Sequence, residues 1–230
     1  MAAPAPTPIV VAWSGGKDST LVLGALLADP AWRVVALVTT VTRALDRISI
    51  HGVRRGLLER QADALGLPLE IAWLDAPSSN AHYASAWADA LARVEHAHGP
   101  VRHIAYGDLF LEDVRAWRDA QCAALGWTAV YPLWGRDTAA LAREFLQTGH
   151  DAVLTCVDTE QLDAAFSGRH YDAALLADLP PDVDPCGERG EFHTFVWNAP
   201  IFAAPIAVQL GARARRDARF EYTDLLPLPS

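Results

Sequence analysis

The chain has 230 residues, 51% of them apolar, with 28 acidic against 19 basic side chains and a net charge of −9 at pH 7. That length holds one large domain, or a domain and a half, around a real core. The acidic balance argues against an extended nucleic-acid footprint, which needs a basic face. No apolar run reaches the length of a membrane span, and the first residues lack the basic and apolar regions of a leader, so a cytoplasmic protein is expected. Cys122, Cys156 and Cys186 are far apart and form no Cys-x-x-Cys pair, which argues against a disulfide framework or a structural zinc site.

The first element, residues 9–13, is β-branched and apolar and reads as a buried parallel strand. The chain breaks at Gly15-Gly16, then resumes an apolar pattern at helical spacing, with Asp18 and Ser19 where a helix starts. Further strands are predicted over 33–41, 69–74, 101–106 and 128–133. Helices are predicted from about 54 to 65 (stopped by Gly66 and Pro68), from 81 to 96 with Tyr83, Trp87, Leu91 and Val94 on one stripe, and from 111 to 125. Residues 43–50 read as irregular. Strands alternating with helices predict an α/β fold with a doubly wound parallel sheet. Ligands sit beyond the carboxyl ends of such strands, where strand order reverses. Thr39, Gly107 and Asp108 fall at strand ends and should converge with the first turn.

From Trp134 the texture changes. A helix is predicted over 138–147, a strand over 152–157, an interrupted segment over 162–176, and short strands over 201–210 and 220–222. The expected division is a nucleotide-binding domain, residues 1–127, and a smaller α+β domain facing the substrate, residues 128–230.

Two stretches carry chemistry. A strand, a glycine turn and a helix aim unpaired N–H groups and the helix dipole at whatever lies above the turn. Gly15 and Gly16, lacking Cβ, let the backbone approach an oxyanion. Ser14 and Ser19 add hydroxyls, Asp18 can hold a magnesium ion, and Lys17 adds a point charge on a side chain expected to lie outside the core. Lys17 is the single lysine beside eighteen arginines, and a compact ammonium suits a phosphate cradle that a planar guanidinium does not. A Walker A loop would need Gly at position 11 and Ser or Thr at 18, where this chain has Val11 and Asp18. The second stretch is residues 184–194. Glu188, Glu191 and His193 could ligate metal, bind a substrate amine or serve as acid and base, or form an exposed hairpin. As a strand, Glu191 and His193 would share a face. Cys186 could be a thiol nucleophile or an inert buried thiol, and His51 a nucleotide or substrate contact or a helix cap.

Ser14-Gly15-Gly16-Lys17-Asp18-Ser19 resembles the PP-loop of the ATP pyrophosphatases, which cut ATP between the α and β phosphates and attach AMP to a substrate oxygen. Together with Gly107-Asp108, Pro132-Leu133-Trp134 and Gly187-Glu188-Arg189-Gly190-Glu191-Phe192-His193-Thr194, it resembles the diphthine–ammonia ligase family from about residue 8 to about 206. His51-Gly52-Val53-Arg54 and Ser79-Asn80 are similar to its bacterial-type branch. Arg189 and His193 stand where the family usually has Gly and Glu, and Asp113-Val114 where it has Tyr-Gln. The resemblance implies a HUP-class nucleotide-binding domain followed by a smaller domain. It also implies an AMP-forming ligase using ATP and Mg²⁺ to join an unidentified carboxylate to ammonia or an amine. Ser14, Gly15, Gly16, Lys17, Asp18, Ser19, Thr39, Gly107 and Asp108 would hold the nucleotide, Asp18 also the metal. His51, Arg54, Glu188, Glu191 and His193 would face the acceptor, with Lys17, Asp18, Glu188, Glu191 and His193 at the chemistry. A homodimer is an open expectation. The alternatives are modification of a tRNA base by the same adenylation, and a nucleotide-binding regulatory module without catalysis.

Overall fold

The computed structural model describes residues 5–229. The expectation of no leader falls partly on residues 1–4, outside that range. Strands β1 (Thr7–Ala12) and β2 (Trp32–Thr42) pair in parallel, and the two-residue β3 (Arg47–Ile48) lies antiparallel to the end of β2. Strands β4 (Leu69–Leu74), β5 (His103–Ala105) and β6 (Thr128–Val130) complete a parallel set in the order β4-β2-β1-β5-β6. The chain winds outward from β1 to β4, returns to β5 on the other side of β1, and ends at β6. Strand order therefore reverses between β1 and β5, and their carboxyl ends flank a crevice.

Ile9, Val10 and Val11 are fully buried because both faces of the sheet are covered. Alternation along β1 sends Ile9 and Val11 into one core and Val10 into another. The first core includes Leu23 of α1 (Lys17–Ala28) with Leu57 and Leu58 of α2 (Arg55–Leu65). The second includes Trp87 and Leu91 of α3 (Asn80–His98) and Cys122 of α4 (Glu112–Ala124). The sheet is doubly wound, as the alternation of elements predicts. Gly66 ends α2 with φ 64°, the left-handed C-cap that glycine adopts without a Cβ clash.

After α5 (Thr138–Gln147), a second, antiparallel sheet follows: β7 (Asp151–Asp158), β8 (Phe192–Asn198), β9 (Val208–Arg216) and β10 (Phe220–Pro227), ordered β8-β7-β10-β9, with α6 (Ala173–Asp178) inserted between β7 and β8. Phe145, Tyr171, Phe192 and Phe195 join the core of Ile9 and Leu57, so one apolar cluster runs through both sheets.

The sequence expectations need four adjustments. Residues 43–50 contain β3. The strand expected at 128–133 stops at Val130, ahead of Pro132, and pairs with β5 in the first sheet. It therefore does not open the second unit, where the expected boundary at 127/128 had put it. The strand expected over 101–106 is only three residues long, His103–Ala105. Residues 201–207 form no strand, because Pro200 precedes them and Pro205 lies among them; pairing begins at Val208 and runs to Arg216, so Arg213, Arg215 and Arg216 lie along an edge strand, where charge blunts edge-to-edge pairing.

Candidate functional site

The glycine turn is built against protein on several sides. Gly15 has φ +73°, and a Cβ there would meet Gln61 Oε1 and Leu58 Cδ2 at 2.6 Å. A Cβ on Gly16 would come 2.9 Å from the carbonyl oxygen of Thr194. The two glycines are thus required by α2 and β8, whatever they also permit toward an oxyanion. This corrects the purely ligand-centred reason that the sequence offers for them. Gln61 Nε2 donates to Gly15 O at 3.0 Å and to Val196 O at 2.6 Å, while its Oε1 accepts from Trp13 Nε1 at 3.0 Å. The N–H of Val196 also donates to Gly15 O, at 2.9 Å. The N–H of Lys17 donates to Thr194 Oγ1 at 3.1 Å. The second sheet therefore finishes the turn of the first.

Ser14 Oγ accepts from Gly16 N at 3.2 Å and lies 3.1 Å from Ser19 Oγ, which tightens the turn. Gly107 closes it from the β5 side, since a Cβ there would lie 3.1 Å from Asp18 Cβ. Lys17 is 2% exposed, not a surface side chain as expected. Its Nζ donates to Asp18 Oδ1 at 2.7 Å and Oδ2 at 2.8 Å, and to Cys186 O. Burial by itself lowers the affinity of this ammonium for its proton, but the Asp18 carboxylate beside it outweighs burial, so Lys17 stays charged.

The second stretch divides into braces and free groups. Asp184 Oδ1 accepts from Cys186 N at 2.8 Å, and its Oδ2 from Thr138 Oγ1 at 2.7 Å. Glu191 accepts from Asp184 N and Arg189 N, both at 2.9 Å, and is 2% exposed. Glu191 precedes β8 and holds the loop's backbone; it does not line the crevice as expected. Arg54 is likewise placed elsewhere. Its Nη2 lies 2.6 Å from Asp224 Oδ2, and Arg47 binds the same carboxylate at 2.7 Å. Cys186 is 3% exposed and its thiol, pushed up to about 12 by burial, is inert.

Glu188, by contrast, faces the opening. Its Oε1 accepts from Leu109 N at 2.6 Å. Burial, with Asp18 and Asp108 nearby, raises its pKa to about 7 against those backbone bonds. His51 and His193, from opposite units, bring their rings within 4.3 Å at 34°. Burial first, and the Lys17 charge, lower His51 to about 4; His193 is lowered by burial, by His51 and by Lys17. Both are neutral at pH 7.

These groups line one crevice of about 620 Å³, within the range of small-molecule sites. Ser14, Gly16, Lys17, Asp18, Ser19, Thr39, His51, Gly107, Asp108, Glu188 and His193 meet there; Gly15, Arg54 and Glu191 do not. Sequence reasoning missed Tyr106, Arg118 and Thr194 on its walls, and treated Tyr83 and Trp87 only as a helix stripe. Asp108 is not free: Arg118 Nε lies 2.6 Å from its Oδ2.

The buried Thr39 Oγ1 on the crevice wall has no hydrogen-bond partner among the described residues, an unmet polar group where a nucleotide would lie. Among the described residues no three His, Cys, Asp or Glu side chains gather as a metal cluster. Mg²⁺ commonly takes one or two carboxylates and completes its shell with water and phosphate oxygens. Asp18 fits that sparse role, and only together with a phosphate ligand.

A doubly wound parallel sheet with Ser-Gly-Gly-Lys-Asp-Ser between β1 and α1, opening at the strand switch point, defines a Rossmann-like nucleotide-binding protein of the PP-loop type. Its residues 7–129 match the family model described as the diphthamide synthase N-terminal domain, and residues 137–223 match that of the diphthamide synthase C-terminal domain. The chain belongs to the diphthamide synthase family. A diphthine–ammonia ligase from Danio rerio is 28% identical over 223 residues, covering 85% of this chain and 84% of the relative. A solved structure titled as a predicted subunit of tRNA methyltransferase from Methanocaldococcus jannaschii aligns with a TM-score of 0.41 and 18% identity, over 84% of this chain and 98% of that one. Among the described residues no helix is long and apolar enough to cross a membrane.

Proposed function

We propose that this protein is an ATP-dependent, AMP-forming amide ligase that adenylates a carboxylate and passes the acyl group to ammonia or an amine. Family membership supports the ATP-dependent ligase, and one observation carries the finer reading. Ser14 and residues 16–19 of the turn share one crevice with Glu188, His193 and Thr194 of the second stretch, with a Lys17–Thr194 hydrogen bond across the join. A module that only binds nucleotide would use Thr194 to finish the turn, but has no need of Glu188 and His193 in the same crevice.

In this reading the first unit holds ATP and the second faces the acceptor. Lys17, Ser14, Ser19 and the amides of the turn neutralise phosphate oxygens. Asp18 would hold Mg²⁺, which would supply charge screening for the leaving pyrophosphate. Lys17 is already charged and buried beside Asp18, so a bound phosphate exchanges one anionic partner for another. Glu188, with a pKa of about 7, is suited to take a proton from the attacking amine. The neutral His51–His193 pair forms a wall of the crevice that does not repel a cationic amine.

The test is product analysis. Incubation with ATP, Mg²⁺, ammonium and a panel of carboxylic acids is expected to give AMP and pyrophosphate in equal amounts, dependent on one class of acid. Stoichiometric ADP and phosphate would sink the reading.

A further inference from the structure

The crevice has two cationic side chains on its walls, Lys17 and Arg118, and four acids, Asp18, Asp75, Asp108 and Glu188. Lys17 belongs to the turn. Arg118 comes from α4, and nothing above gives it a task.

Its setting is unusual for a structural arginine. The side chain is only 25% exposed, and the guanidinium carbon lies 4.4 Å from the centre of the Tyr106 ring. A guanidinium offers five N–H donors. Here Nη2 donates to Asp108 Oδ1 at 3.3 Å, and the Tyr83 hydroxyl lies beside it as a further acceptor. The Nε–Oδ2 approach of 2.6 Å is an ion pair by distance, yet neither atom finds an aligned hydrogen-bond partner. Arg118 is thus held by the Tyr106 face, the Tyr83 hydroxyl and a two-point but imperfectly aligned contact with Asp108, with N–H donors still unspent. A buried pair pays for desolvation only when geometry is good, and here it is imperfect.

We propose that Arg118 is the carboxylate-binding residue of this crevice: it receives the acceptor acid in a two-point contact that displaces Asp108. The planar fork matches either a carboxylate or a phosphate in two parallel bonds. Two features favour the carboxylate. The fork already holds one carboxylate edge-on, through Nε and Nη2. Asp108 and Glu188 beside it disfavour a second multiply charged group, whereas a single negative charge exchanges evenly for that of Asp108. Tyr83 and Trp87 on the adjoining wall suit an acid with an apolar or aromatic body. The inference deepens the ligase reading and rests on it for the word acceptor; the anion site itself stands on the geometry of Arg118.

The experiment uses the full chain saturated with α,β-methylene-ATP, with acetate, glutarate, benzoate and N-acetylglutamate as probes read by ligand-observed NMR. Arg118→Met strands Asp108, so the double variant Asp108→Asn/Arg118→Met, which removes both charges, is measured beside it. Expected is binding of at least one probe to the wild type, weakened about tenfold or more in both variants. The affinity for the ATP analogue, by calorimetry, should stay within about threefold. A tenfold loss of analogue affinity in the double variant would assign Arg118 to the nucleotide and overturn the proposal. So would probes that bind the double variant as well as the wild type, or that fail to bind the wild type at all. Probe binding that depends on Arg118, with no acid ever yielding AMP, would keep the carboxylate site and remove the ligase reading.

Discussion

The backbone N–H of Lys17 donates to the side-chain oxygen of Thr194 at 3.1 Å, across 177 residues of chain. The phosphate-type turn is therefore a joint product of both sheets. Its first helical amide is capped by the edge strand of the second.

Thr194→Val keeps the shape of this contact and removes the acceptor, leaving the buried Lys17 N–H unpaired. A loss of about 1–3 kcal/mol is expected, read as a lower urea midpoint with an unchanged m-value. Thr194→Ser should recover most of it. Equal stability of the valine and serine variants would show that the hydrogen bond contributes nothing.

Lys17→Arg tests the single lysine. The sequence alone suggests a surface change without effect on melting. The buried cage of Asp18 and Cys186 O says otherwise, because a wider guanidinium overpacks it. Overpacking costs about 1–3 kcal/mol, or a drop in Tm of roughly 2–12 °C for a chain of this size. Displacement of a reacting group by an ångström can cost about a hundredfold in rate, and AMP formation should fall accordingly. A variant with normal melting and normal turnover would mean that any cation suffices.

Glu188 sets a pH dependence. Its carboxyl binds a proton more tightly in the folded state, near pH 7, than in the unfolded state, near 4.5. As pH rises between those values, the unfolded chain gives up this proton first, so its contribution to stability is full below about 4.5 and is lost as pH passes about 7. The loss amounts to about 1–3 kcal/mol. Urea unfolding at pH 5 and pH 8 should show this decline in the wild type and a reduced one in Glu188→Gln. An identical pH profile in the two proteins would contradict the assignment.

Glu191 and His193 should separate cleanly. Glu191→Gln turns an amide N–H₂ toward Asp184 N or Arg189 N, and should cost about 1–3 kcal/mol of stability. His193→Ala, on the crevice wall, should melt within a few degrees of wild type while lowering AMP formation. The reverse pattern, a stable but inactive Glu191 variant, would restore Glu191 to the chemistry.

The parallel sheet was legible because Ile9, Val10 and Val11 are apolar on both faces, and the end of α2 because Gly66 carries a local signal. The start of α5 carries a signal that went unread: Asp137 caps it by accepting from Ala140 N at 2.6 Å. What local pattern cannot reveal is which polar residue finds which distant partner. Arg54 and Glu191 look as available as Glu188, yet Arg54 is held by Asp224, 170 residues away. Arg118 lies on a helix rich in Arg and Asp that reads as a solvated face, and only the fold turns it inward. Gln61 does carry a signal in retrospect: a polar residue among Leu57, Leu58 and Ala62 on the buried side of α2.

The closure of the turn by Thr194 and Val196 also orders events on the ribosome. At about 5–20 residues per second, the 177 residues separating Lys17 from Thr194 take roughly 9–35 s to synthesise. Through that interval the emerging first sheet carries a turn that lacks one wall: Gly15 O already has Gln61 of α2, while Lys17 N still waits for Thr194 of β8. The finished geometry of the turn is thus postponed until nearly the whole chain has been made.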